Sequence, residues 1–201
     1  MHLLDNSPPE ITQHRSLAEE ETSTAVVLAV AEVTDTDALE LSPLYEILDP
    51  DALDRFFADD QRSNRSGEAQ IIFPFGDCWI TVRFDDQIIV VPREELNVSP
   101  SPSSREIFHT KHEWASVPSL STTLLQAFKQ ISQQCDLTYP EPLTTIINLD
   151  SLDRLFSPID QHSRRDAGWV SFSVDGYAIT VEASGKIKFA PASRPLSEGE
   201  V

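Results

Sequence analysis

The chain has 201 residues and a formal net charge of −18, set by 33 acidic and 15 basic side chains, of which only Lys111, Lys129, Lys186 and Lys188 are lysines. Self-repulsion on that scale opposes a compact state unless salt screens it, and at about 1 M salt the Debye length falls to about 3 Å. The composition therefore points to a salt-loaded cytoplasm, with a mesophilic acidic protein as the alternative. No basic stripe is visible, which argues against nucleic acid as a partner. Cys78 and Cys135 fall at non-equivalent places and make no disulfide framework, so reduced cytosolic thiols are expected. Met1-His2-Leu3-Leu4-Asp5 lacks the basic region and apolar run of a signal peptide. The longest purely apolar stretch, Ala25 to Ala31, is too short to cross a bilayer. A cytoplasmic protein with no membrane partner is the expectation.

In chain order, Met1 to Pro9 reads as a flexible tail, and a strand is weakly suggested within Glu10 to Leu17. Val26, Val27, Val30 and Val33 then share one face at helical spacing, behind Ser23 or Thr24 as the N-cap. A second helix opens at Asp49-Pro50-Asp51, where an Asp cap, a first-position Pro and an acidic first turn all suit a helix start. Ile71 to Phe75 and Cys78 to Phe84 flank Gly76-Asp77 as a hairpin, and Ile88 to Val91 adds a third strand after a turn of two or three residues.

The whole pattern then repeats. Leu53-Asp54-Arg55-Phe56-Phe57 returns as Leu152-Asp153-Arg154-Leu155-Phe156. Pro43-Leu44 answers to Pro142-Leu143, Asp49-Pro50-Asp51 to Asn148-Leu149-Asp150, and Phe73 to Phe172. A strand from Ile107 to Trp114 is followed by a helix with Leu124, Leu125, Phe128 and Ile131 on its buried stripe, capped by Ser121 or Thr122. Trp169 to Val174 and Tyr177 to Glu182 flank Asp175-Gly176, and Ile187 to Phe189 closes the unit. The fold class is α+β: two similar repeats, each a small antiparallel sheet of three to four strands with two helices on one face. The expected divisions are a tail (1–9), a first domain (10–92), a Pro/Ser linker (93–104), a second domain (105–191) and a second tail (192–201).

Ser-Thr-Ala-Val-Val-Leu-Ala-Val-Ala (23–31) followed by Leu41 to Leu53 resembles the halobacterial output domain family, and Phe172 to Val181 resembles its hairpin. The motif positions are Pro43, Leu44, Asp49, Pro50, Asp51 and Leu53, with Pro142, Leu143, Asn148, Asp150 and Leu152 in the second copy. The resemblance implies an output or partner domain in haloarchaeal signal transduction, with no catalytic activity and no cofactor.

The residues themselves give little chemistry. Asp49, Asp51 and Asp54 read as capping and solvated carboxylates. His109 and His112 point to opposite faces of a strand, which disfavours a metal site, and Cys78 reads as a small core residue beside its turn. Arg62, Arg65, Arg164 and Arg165 read as a solvated loop, or else as an anion patch. Strand alternation puts Ile71, Phe73, Phe75, Ile80 and Val82 under the helices. Ile72, Pro74, Trp79, Ile89 and Val91 then make a second apolar face. The corresponding second-copy positions are Ser171, Ser173, Ala178, Lys188 and Ala190. An extra apolar face marks an interaction site, so the expected partner is a protein or the other repeat, with a homodimer as a further option; cover by a tail or linker of the chain is the alternative. The function reading is a non-catalytic interaction module. A DNA-associated regulator working at high salt and a carboxylate hydrolase are the alternatives.

Overall fold

Alternating apolar residues between tight turns make the strands, and polar caps ahead of apolar stripes make the helices. A computed structural model describes residues 12–15, 21–58, 69–85, 87–95, 106–114, 119–135, 147–158, 165, 167–174 and 177–191. The first half runs β1 (Thr12–Arg15), α1 (Thr22–Thr34), α2 (Pro50–Phe56), β2 (Gln70–Phe75), β3 (Cys78–Arg83) and β4 (Gln87–Pro92). The second half runs β5 (Phe108–Lys111), α3 (Leu120–Cys135), α4 (Leu149–Leu155), β6 (Trp169–Val174), β7 (Tyr177–Glu182) and β8 (Lys186–Pro191). Each half is thus four strands and two helices, the α+β unit that the repeat predicts. The expected tails, and the linker beyond Glu95, lie outside the described residues.

The two small sheets are not separate. All eight strands form one antiparallel sheet in the order β1-β4-β3-β2-β6-β7-β8-β5. At the join Gln70 faces Ser171, Ile71 faces Val170 and Ile72 faces Trp169. Ile71 and Val170 are the same position of the repeat, since 170 − 71 = 99 is also the offset of Phe172 from Phe73 and of Leu152 from Leu53. The pair therefore sits on a local twofold axis, and the seam is isologous within one chain.

Beneath the sheet lies one core that runs through both halves. Ile71, Phe73, Phe75, Ile80, Val82, Ile88 and Val90 point into it from the first half, as alternation requires. Val170, Phe172, Val174, Ile179, Val181, Ile187 and Phe189 do so from the second. Helix α1 adds Val26, Ala29 and Val30, and α3 adds Leu124, Ala127, Phe128 and Ile131. Each such large side chain is worth about 1.5–3 kcal/mol on burial. Leu125 departs from its expected place and is 52% exposed. One residue step turns a helix by about 100°, which puts Leu125 past the edge of the stripe made by Leu124, Ala127, Phe128 and Ile131.

Across the axis α2 packs on α4. The Asp49 N–H donates to Leu155 O at 3.0 Å, and Arg154 reaches Asp49 at 3.2 Å. That exposed ion pair adds under about 1 kcal/mol. Arg165 does more, and it corrects the solvated-loop reading. It is buried, and its guanidinium donates to Tyr45 O at 2.8 and 3.2 Å, to Ser157 O at 2.7 Å and to Leu155 O at 3.3 Å. The turn before α2 and the C-terminal end of α4 are thereby tied by one side chain. Burial pulls the Arg165 pKa down while Asp49 holds it up. Arg62, Arg65 and Arg164 lie outside the described residues.

The turns show where backbone freedom is needed. Gly76 has φ +56, as a glycine-first hairpin turn requires. The turn before β4 holds three residues, 84–86, as does its counterpart 183–185, where Gly185 has φ +84. Strand β5 is shorter than expected, because at His112 the chain turns off to give its N–H to Gly185 O at 2.8 Å. Gly168, just before β6, has φ +108, and a Cβ there would meet Phe73 Cβ at 2.9 Å and Ile72 O at 3.0 Å. Gly168→Ala is therefore expected to destabilise the whole chain by about 2 kcal/mol, measured by chemical denaturation at fixed salt. An unchanged midpoint would mean that the halves do not approach as closely as described.

Candidate functional site

The twice-present Asp of Leu-Asp-Arg is the first candidate for chemistry, and it is occupied in both copies. Asp54 accepts the Ser23 amide at 2.7 Å and the Ser23 hydroxyl at 2.9 Å. Asp153 accepts the same two groups of Ser121, each at 2.8 Å. A carboxylate from the second helix thus satisfies an orphan amide of the first and sits at the positive end of its dipole. This corrects the expected caps. Glu21 is the N-cap of α1 and makes no side-chain cap bond. Ser119 stands ahead of α3, its hydroxyl 3.4 Å from the Thr122 amide. Ser23 and Ser121 lie inside their helices as recipients of the carboxylates.

The other motif positions are structural too. Asp49 and Asn148 accept the Ala52 and Ser151 amides, each at 3.0 Å. Pro50 opens α2, and Asp51 and Asp150 occupy the acidic first turns. Pro43 precedes a 3-10 turn whose Leu44 is buried with Leu53 and Leu152. Pro142 and Leu143 lie outside the described residues.

Cys78 is fully buried. Burial raises its thiol pKa and Asp77 adds to this, while Arg93 pulls the other way. A thiol held protonated is a packing group rather than a nucleophile. His109 is exposed and pairs with Glu106. His112 is buried, with Nδ1 3.1 Å from Thr123 Oγ1 and its ring edge-on to Trp114. Burial lowers its pKa against the pull of Asp153 and Glu113.

The sheet face opposite α1–α4 carries the remaining pattern. One row crosses the seam as Ile89, Thr81, Ile72, Trp169 and Glu182. Continuing the β7–β8 ladder by one step adds Lys186, and Lys111 faces Lys186. A second row runs Arg83, Gln70, Ser171, Thr180, Lys188 and His109. Above them Val91, Trp79 and Pro74 form a third. All five residues of the expected apolar face therefore share this side. Ile72 and Pro74 are buried there, and Trp79, Ile89 and Val91 are half-buried.

The second half does not stack upon that face. It joins edge-on and contributes Trp169, whose ring lies 5.7 Å from that of Trp79 at 52°. Such a pair adds about 0.5–1.5 kcal/mol beyond burial. Arg93 stands 5.7 Å over the Trp79 ring. Trp169 escaped sequence reading because its counterpart in the first half is Gln70, just outside the expected strand. The lysines escaped as well, being 75 residues apart in the chain (186 − 111) yet paired across β5 and β8. Lys188 pairs with Glu182, and Lys186 lies 3.4 Å from Glu106. Burial acts to raise the Glu106 pKa, but Lys186 and His109 outweigh it and hold the carboxyl below its usual range. Beside the seam a shallow hollow of about 580 Å³ is lined by Gln70, Arg83, Phe84, Ser171 and Ser173 among others.

Of three comparisons with known proteins, one gives a match. The family model for halobacterial output domain 1 matches it twice, over residues 18–92 and 117–191. No match was found among curated proteins or among solved structures. Among the described residues no helix is long and apolar enough to cross a membrane.

If both carboxylates are caps, Asp54→Ala and Asp153→Ala each lower stability by about 1 kcal/mol in thermal melts at constant salt. No loss in either would free them for another role. His112 gives a pH signature. Its folded pKa lies below the unfolded value, so the unfolded chain binds the extra proton between the two. Its contribution is whole above about pH 6.5 and is lost as pH falls through the folded pKa. Urea midpoints should therefore drop on acidification in that window, and His112→Asn should flatten the drop; a slope that survives the substitution assigns it elsewhere.

Proposed function

The chain belongs to the halobacterial output domain 1 family, and we propose that it is a non-catalytic interaction module in haloarchaeal signal transduction, working through protein–protein contact in a salt-loaded cytoplasm. The observation that carries this reading is the apolar patch of Trp79, Ile89 and Val91 beside Trp169, on the side of the sheet away from the helices. A half-buried apolar cluster outside the core is a usual mark of a docking surface. A hydrolase finds less support, since Asp54, Asp153 and Asp49 are all committed to helix caps. The test is quantitative capture from a haloarchaeal lysate at native salt with the full chain and with Trp79→Ser. Specific proteins should be retained and at least about tenfold depleted by the substitution, the size expected for loss of an aromatic anchor. Retention that ignores Trp79, or a band shift of duplex DNA at molar KCl with no protein retained, would count against it.

A further inference from the structure

Three of the four lysines in a chain of net charge −18 meet in one corner of the sheet face opposite α1–α4. Lys111 stands directly opposite Lys186, and Lys188 lies one step along β8 on the same side. Like charges facing each other across a ladder are destabilising, so the arrangement works against the sheet that carries it. Lysines on an edge strand commonly guard that edge against aggregation. That accounts for Lys111 on β5 but not for Lys186 and Lys188, since β8 is paired on both sides. Glu106 and Glu182 offset part of the charge. Three lysines thus stand against two glutamates here, in a chain of strong net negative charge.

The apolar patch lies on the same face. Trp79 on β3 stands four strand spacings, about 19 Å, from Lys186 and Lys188 on β8, across the buried Ile72 and Trp169 and across Glu182. From Ile89 on β4 to Lys111 on β5 the row spans six spacings, about 29 Å, which is the reach of about nine extended residues.

We propose that this face holds an acidic polypeptide segment with an apolar end. The apolar end lies on the half-buried Trp79, Ile89 and Val91, and its carboxylates lie over Lys111, Lys186 and Lys188. The idea rests on the interaction-module reading and names the chemistry of the partner. Duplex DNA fits less well, because three of the seven positions in the row are apolar, a fourth is Glu182, and the lysines lie on β5 and β8 alone. At molar salt the Debye length of about 3 Å removes long-range steering, so the lysines act by direct contact and set orientation.

The test uses the intact chain and a fluorescent peptide of about twelve residues, long enough for the row, with leucines and a phenylalanine in one half and glutamates in the other. Anisotropy titrations should show saturable binding, weakened at least about tenfold in Lys186→Glu/Lys188→Glu, as for loss of close charge pairs. The same peptide with lysine for glutamate should bind far more weakly. Melting curves check that the variant folds, with Lys186→Gln/Lys188→Gln as the milder replacement. No binding by the wild-type chain, or equal affinity for both peptides, overturns the proposal. So does a labelled DNA duplex that binds more tightly and is lost in the lysine variant. Binding that depends on Trp79 but not on the lysines overturns this inference while leaving the interaction-module reading standing, and the lysate capture judges that reading separately.

Discussion

The pairing of β2 with β6 is the constraint on which the rest of the structure depends. Each half alone would present Gln70–Phe75 or Trp169–Val174 as a bare apolar edge, a template for aggregation. Pairing the two edges removes both and makes one core from two small ones, which individual units of this size support only marginally. The seam is short, since it joins only the first three residues of each strand: β2 begins at Gln70 and β6 at Trp169, just after Gly168 with its positive φ. Where the ladder stops, the two tryptophans lean together on one side of the sheet. On the other, α2, α4 and Arg165 close the same axis.

Much of this was legible in the sequence, and what was not failed for particular physical reasons. The repeat, the hairpins and the helix starts at Asp49 and Asn148 follow from local patterns, because caps and turns bond within a few residues. The seam left no such trace. A strand edge pairs through its backbone, and Ile71 facing Val170 resembles any inward apolar residue. Arg165 was misread for the same reason, since its partners are the carbonyls of Tyr45, Leu155 and Ser157 rather than acidic side chains. Asp54 and Ser23 were each read as helix-start residues. Their joining over 31 positions is a tertiary fact.

The candidate face divides along the same line. Ile72, Pro74, Trp79, Ile89 and Val91 could be assigned to one side by alternation, because that period is fixed by the pleat. The three-residue turn at 84–86 settled the third strand's register in the direction that alternation needed. Trp169 and the lysine corner required knowing which strands are neighbours, and that information lies in the order of strands across the sheet.

Twofold pairing of identical halves would produce a face with two equal ends and no direction. Divergence has removed that symmetry position by position. At the 99-residue offset Trp79 becomes Ala178, Pro74 becomes Ser173, Ile89 becomes Lys188, Val91 becomes Ala190 and Ile72 becomes Ser171, so apolar contact concentrates in the first half. One exchange runs the other way, Gln70 becoming Trp169. It falls at the position the axis brings opposite Ile72, where an aromatic ring extends the apolar patch across the seam instead of starting a second one. Buried positions facing the helices stay apolar: Phe73 and Phe172, Ile80 and Ile179, and Val82 and Val181 are kept alike, while Phe75 becomes Val174 and Val90 becomes Phe189. The core is thus held to apolar side chains in both halves, while the opposite face has been left with an apolar end and a lysine-bearing end.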